Sequence, residues 1–249
     1  MTRHGIVHAL FVGIVVLAFW QALVVVLDLP RFMLPAPYQV FLALERRFGF
    51  FMHHASITGL ETVLGLIFGT LSGIFVALTM SLFPIARRLV MPLIVISQAL
   101  PVFAIAPLLV LWFGFGIASK VVMAMLIIFF PVASYFYDGL RRTDPELVDL
   151  GRLRRANQLQ MLLHIRVPAA LPALSSGLRV SAVFAPIGAI VGEWVGSSAG
   201  LGFIMLQANA RMQTDSMFAA LFLLALMALA LRYSVAWLTR QMVPWQTET

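Results

Sequence analysis

The sequence has no cysteine, a single lysine, and charge on only 11% of its 249 residues. Without thiols there is no disulfide framework and no thiolate metal site, and nothing is implied about compartment. A typical soluble domain carries about 25% charged residues, so this chain lacks the charge to keep a soluble surface wet. The lysine, Lys120, follows Ser119 without a glycine-rich approach, so the phosphate-cradling loop of an ATPase is missing. There is no HExxH, and no nucleophile elbow is expected. His53-His54 is a pair without a helper carboxylate at metal spacing, more often incidental than a ligand set. The chain therefore reads as a transport subunit rather than an enzyme, with no cofactor and no metal of its own.

What is present is apolar. Hydrophobic residues make up 61% of the chain, and the mean hydropathy is +0.98. A soluble core could not hide this surface, whereas lipid removes the difficulty. Six runs approach the length of about 20 apolar residues that a helical span needs. They are Ile6–Leu27, Ile57–Phe83, Leu89–Phe113, Val121–Tyr137, Leu171–Val195 and Met217–Leu238, the fourth extending into Ser119 and Lys120. The first is longer than the core of a cleaved signal and lacks a small-residue cleavage site, so it is expected to be retained. The formal charge of +7 comes from arginines scattered between the runs, which excludes a basic tract for nucleic acid. With the N-terminus inside, the inner segments hold Arg3, Arg87, Arg88, Arg141, Arg142, Arg152, Arg154, Arg155, Arg166 and Arg240. The outer segments hold Arg31, Arg46, Arg47, Lys120 and Arg211, and Arg179 and Arg232 remain within spans. That bias places both termini and the long loop in the cytoplasm of a bacterial inner membrane.

Gly65, Gly69 and Gly73 form a line at four-residue spacing that suits close helix packing. Ala182, Ala185, Ala189, Gly192 and Gly196 form a similar stripe in the fifth run, and Arg179, Pro186 and Glu193 share another face of it. Pro92, Pro101 and Pro107 break the ladder of the third run, which is tolerated beside neighbouring helices or a cavity. One carboxylate, Glu193, is expected inside a span, where it either faces a pathway or pairs at the outer interface with a neighbour such as Arg211. Gln98, Pro101, Pro186, Glu193 and Trp194 are the candidates for the pathway or its gate. The inner segment of residues 138–170 starts a short helix at Asp144-Pro145, with Asp144 as cap and Glu146 in the first turn. Asn157 caps a second short helix expected to end before Pro168. The pair reads as a docking surface or as a solvated basic loop.

These residues resemble a known family. Asp149-Leu150-Gly151, Arg155-Ala156, Val167-Pro168-Ala169-Ala170-Leu171-Pro172 and Ser176-Gly177-Leu178-Arg179 are similar to the EAA loop of permease subunits of binding-protein-dependent ABC importers. Leu34-Pro35-Ala36-Pro37, Ala106-Pro107-Leu108 with Trp112-Phe113-Gly114 and Gly116, and Gly192-Glu193-Trp194 with Gly200-Leu201-Gly202 extend the likeness over nearly the whole chain. Two positions depart from the family pattern: Asp149 stands where glutamate is usual, and Arg155 where glycine allows a bend. The resemblance implies an all-α membrane protein, a six-helix bundle like type I ABC importer permeases, in a single domain over residues 1–249, with its core at about 57–240. It also implies two permease copies as a homodimer, two cytoplasmic ATPase subunits that use the ATP, and a periplasmic or lipid-anchored binding protein. Leu147, Asp149, Leu150, Gly151, Leu153, Arg155, Ala156 and Pro168 would form the ATPase-coupling surface, with the leucines as anchors, the arginines as a rim and Gly151 beneath the ATPase. Within the family the chain is most similar to the branch for sulfonates, taurine, nitrate and thiamine-precursor pyrimidines, with riboflavin-type members close. Few fixed positive charges in the spans favour a pyrimidine over an anion. The rival class, an ion-driven secondary transporter, would want ionisable relays and internal repeats, and neither is evident.

Overall fold

The computed structural model describes residues 3–99 and 101–245, with the side chains of residues 3–7, 9, 10 and 97–99 excepted. The described residues form helices and turns, without a strand. Among the described residues, four helices are long and apolar enough to cross a membrane: α3 (Phe48–Leu82), α6 (Ile117–Arg141), the run Gln158–Gly196, and α11 (Thr214–Met242). The first expected span is α1 (Arg3–Val26). A short amphipathic helix, α2 (Pro37–Arg46), follows it.

The third expected span is not one helix. It divides into α4 (Pro84–Ala99) and α5 (Val102–Phe113), with Pro101 in extended conformation as the N-cap of α5. A proline here lacks the amide that would continue the ladder, and it disfavours helical angles in the residue before it. Pro92 and Pro107 are accommodated inside their helices.

The core is built on α6. Its residues Ala124, Ile128, Val132, Ala133, Phe136 and Leu140 are fully buried between α3 on one side and the long fifth span on the other. The glycine line of α3 makes this approach possible. A Cβ at Gly69 would sit 2.8 Å from the Ile128 side chain, and one at Gly73 2.9 Å from Val132. In the fifth span Ala182, Ala185 and Ala189 are buried, and a Cβ at Gly188 would lie 2.6 Å from the Ala124 backbone. The small residues thus bring three spans into contact at backbone distance. The remaining surface carries exposed Phe75, Leu111 and Trp112, as a surface facing lipid or a partner requires.

The short helix α7 (Pro145–Leu153) starts as expected: the Asp144 carboxylate accepts the Glu146 N–H at 2.9 Å. Asn157 and Gln160 form a reciprocal capping box at α8 (Gln158–Met161). That second helix does not end before Pro168. It passes through a π-turn at Leu162–Arg166 into α9 (Val167–Gly196). A proline removes one backbone donor and crowds the carbonyl four residues earlier; the wider π-turn directly before Pro168 absorbs both defects.

Between α7 and α8 the chain turns in a Schellman arrangement. The Ala156 N–H reaches the Gly151 carbonyl at 3.0 Å, and the Arg155 N–H reaches Arg152 at 2.9 Å. This geometry puts Arg155 at φ +54, in the left-handed region. An L-residue there costs about 1–2 kcal/mol relative to right-handed backbone, and glycine removes the penalty. Arg155→Gly is therefore expected to slow amide exchange across Leu150–Ala156 by about fivefold, as about 1 kcal/mol of local stability implies. Unchanged or faster exchange in that segment would argue against strain at this turn.

Candidate functional site

A buried polar site is organised around α10 (Leu201–Ala210), a short helix after the break at residues 197–200. A helix start leaves its first N–H groups without intrahelical partners. Here side chains from two spans meet them. The Gly200 N–H donates to His54 Nδ1 at 2.9 Å and the Leu201 N–H to Thr58 Oγ1 at 2.8 Å. The Gly202 N–H donates to Glu193 Oε2 at 2.5 Å, with Phe203 more distant at 3.4 Å. Thr58 Oγ1 in turn donates to Glu193 Oε1 at 2.6 Å. Because Nδ1 accepts, the neutral His54 ring carries its proton on Nε2. Gly200 has φ +109, and a Cβ there would overlap the Glu193 carboxyl, so only glycine fits. A carboxylate at a helix start is also favoured by the helix dipole.

Beside this cap lie two further ionisable groups. Glu61, one turn along α3 from Thr58, is 2% exposed, and its Oε2 has no hydrogen-bond partner. Glu61, Glu193 and Lys120 lie within electrostatic reach of one another. Lys120 is 1% exposed. Its ammonium donates to the Phe115 carbonyl at 2.6 Å, to Gly116 at 3.1 Å and to the Gly196 carbonyl. The amine thereby holds the last carbonyl of α9 and the turn after α5, a favourable place for a cation. Ser119 and Lys120 belong to α6, as expected from the sequence.

Two expectations change. Glu193 does not pair with Arg211: it is 1% exposed, and its partners are Thr58 and the backbone of α10. It is also not the one carboxylate inside a span, because Glu61 is buried in α3. Glu61 falls within the apolar run Ile57–Phe83, three residues after Thr58, so an inventory of charges in each run would have found it. His54 caps α10 through its Nδ1. Gly196-Ser197-Ser198-Ala199-Gly200 fits the letters GxSxG but joins two helices, not a strand and a helix. Of the other pathway candidates, Pro101 is exposed at the helix break and Pro186 is buried in α9. Trp194 is 42% exposed with its ring 6.4 Å from Phe103. The side chain of Gln98 lies outside the described residues.

Beyond the spans, α7 exposes Leu147, Leu150 and Leu153, and Leu159 and Leu163 are exposed on the following segment. Asp149 pairs with Arg152 at 3.0 Å on the exposed side. Ala156 and Pro168 are half-buried behind them. Gly151 faces the other way. It is buried, and a Cβ there would lie 2.6 Å from Ile165 and 2.7 Å from Met161. Its small size serves the packing of α7 on α8 and the π-turn, not the approach of a partner.

Residues 69–247 match the family of binding-protein-dependent transport system inner membrane components. A probable ABC transporter permease protein of Haemophilus influenzae is 49% identical over 234 residues, covering 94% of this chain and 95% of its own. The formylaminopyrimidine transport permease protein ThiX of Halalkalibacterium halodurans is 34% identical, covering 86% of each chain. The riboflavin transport system permease protein RibX of Chloroflexus aurantiacus is also 34% identical, covering 92% of this chain and 87% of its own. Among solved structures, a chain of the MetNI methionine ABC transporter in an inward-facing conformation superposes with a TM-score of 0.70 at 19% identity. The superposition covers 80% of this chain and 98% of that one, and it shows a shared fold.

Proposed function

Because the chain belongs to the inner membrane components of binding-protein-dependent transport systems, we propose that it forms, with a second copy, the pathway for a thiamine-precursor pyrimidine. It is a permease subunit of an ABC importer and not an enzyme. In this reading a binding protein delivers the solute at the outer face, and two cytoplasmic ATPase subunits use the ATP. The inner membrane holds the chain with both termini in the cytoplasm, as the arginine bias favours.

The observation that carries the coupling role is the exposed leucine face of α7. An apolar patch on a helix beyond the spans is the surface a partner covers. Leu147, Leu150 and Leu153 are the anchors, and Asp149, Arg155, Ala156 and Pro168 fix the helix pair that carries them. Gly151 supports this pair from within. Nucleotide-driven closure of the ATPases would then move α8 as one body with α9, because the helix runs on through the π-turn, and would carry α7 through its packing at Gly151. At the outer side, Glu193 sets the position of α10, and Pro101, Pro186 and Trp194 belong to the α5–α9 region where a gate would operate.

The pyrimidine reading is supported by the relatives: identity is 34% to the formylaminopyrimidine and riboflavin permeases and 28–29% to sulfonate and taurine permeases of Bacillus subtilis and Escherichia coli. The outer polar site, with two carboxylates against one ammonium, also offers nothing to an anion. The test is uptake of labelled formylaminopyrimidine in cells with and without the gene, with excess riboflavin or taurine as competitor. Gene-dependent uptake that taurine leaves untouched is expected. Loss of growth on taurine sulfur after deletion, with pyrimidine uptake intact, would reverse the assignment.

A further inference from the structure

Glu61 is a buried ionisable group that no step of import uses. It lies in α3, 2% exposed, and no donor reaches its Oε2. Two ionisable groups face it, Glu193 from α9 and Lys120 from α6. An ammonium has three protons to give. Lys120 spends its three on the carbonyls of Phe115, Gly116 and Gly196, so none is left for Glu61. Glu193 takes the neighbouring donors: Thr58 Oγ1, the Gly202 N–H and the longer contact from Phe203. Glu193 is therefore equipped to carry a negative charge, and Glu61 is not. An ionised carboxylate without donors is costly inside protein. Two carboxylates against one ammonium would also leave one negative charge over, and a single proton removes it. The Glu61 and Glu193 side chains are within hydrogen-bond reach of each other. Two carboxyl groups form such a bond only when one of them is protonated.

We propose that Glu61 is a protonated carboxylic acid at neutral pH whose O–H donates a hydrogen bond to Glu193. That bond joins α3 to α9 at the residue that also receives the start of α10. Glu61 acts through Glu193, as a positioning residue for the cap. The surroundings are closely packed. A Cβ at Gly192 would lie 3.0 Å from Lys120, and one at Gly202 2.8 Å from Glu193 Oε2. The cluster of Glu61, Glu193 and Lys120 is then neutral as a whole, as a dry junction between spans requires.

The test needs neither solute nor ATP, so it fails or stands independently of transport. The transporter, purified with its partner subunits, is compared as wild type, Glu61→Gln and Glu61→Ala. Infrared spectra are taken at neutral pH, and the melting temperature of the permease chain is measured. The spectrum of wild type minus that of Glu61→Gln should contain the C=O stretch of one protonated carboxyl group, a band that ionised carboxylates lack. Glu61→Gln puts an amide N–H where the acid O–H stood, so it should melt within about 2 °C of wild type. Glu61→Ala removes the donor and should melt roughly 5 °C or more lower. A difference spectrum without the band would overturn the proposal. So would a Glu61→Gln variant that melts as low as Glu61→Ala. Wild-type melting that falls when sodium is removed would put a metal ion in the proton's place and overturn it too.

Discussion

Glu193→Ala is expected to abolish uptake and to lower the melting temperature of the detergent-solubilised permease. Its carboxylate accepts from Thr58 and from the Gly202 N–H, all inside protein where water cannot replace it. Hydrogen bonds to a charged group contribute about 1.5–3 kcal/mol each, and a buried orphan costs about as much, so a loss of about 3 kcal/mol or more follows. Lys120 would also lose a nearby counter-charge. Glu193→Gln keeps one acceptor but turns an amide donor toward a hydroxyl or an N–H, so an intermediate loss is expected. Thr58→Val and Gly200→Ala attack the same cap from α3 and from the loop. Thr58→Val combined with Glu193→Ala should therefore cost little more than Glu193→Ala alone, because both remove one network. Full additivity, or normal uptake and melting in Glu193→Ala, would remove α10 capping from the account.

The second large effect is at the inner face. Leu150→Asp should release the ATPase subunits and stop transport while leaving the permease at normal abundance in the membrane. Leu150 is 53% exposed, so its replacement removes little internal packing. A desolvated anchor of an interface is worth about 2 kcal/mol or more, which is roughly a thirtyfold drop in ATPase recovered by co-purification. Arg154→Ala, on the rim, should weaken association only slightly and mainly at raised salt. Gly151→Trp is not an equivalent probe. Its side chain would drive α7 off Met161 and Ile165 and unfold the motif from within. If Leu150→Asp retains the ATPase and transports normally, the exposed face of α7 is not the coupling surface.

Much of this architecture is legible in the sequence because lipid imposes a simple rule on apolar runs. The glycine line Gly65, Gly69, Gly73 and the alanine stripe of the fifth span announce close packing, since only small residues permit it. Asp144-Pro145 and Asn157 mark helix starts whose caps are local and need no tertiary partner. The end of the second helix is not legible in the same way. Pro168 looks like a stop, and only the π-turn before it, formed against α7 and α6, lets the helix run on. Span boundaries fail at Pro101 for the opposite reason, where hydropathy continues although the backbone breaks. Glu193 is visible as an anomaly, but its role is not, because its partners are Thr58, 135 residues away in the chain, and the backbone of residues 202–203. The unusual Arg155 is readable from the family pattern as a place that wants glycine, and its φ of +54 gives that preference its cause.

Separate ATPase subunits are proposed to drive solute through this chain. The most direct measurement reconstitutes permease, ATPase and binding protein in liposomes and follows labelled solute. Uptake is predicted only with ATP on the ATPase side, unchanged by ionophores that collapse proton and sodium gradients, and lost in Leu150→Asp. Uptake by the permease alone, driven by an imposed ion gradient and indifferent to ATP, would contradict it.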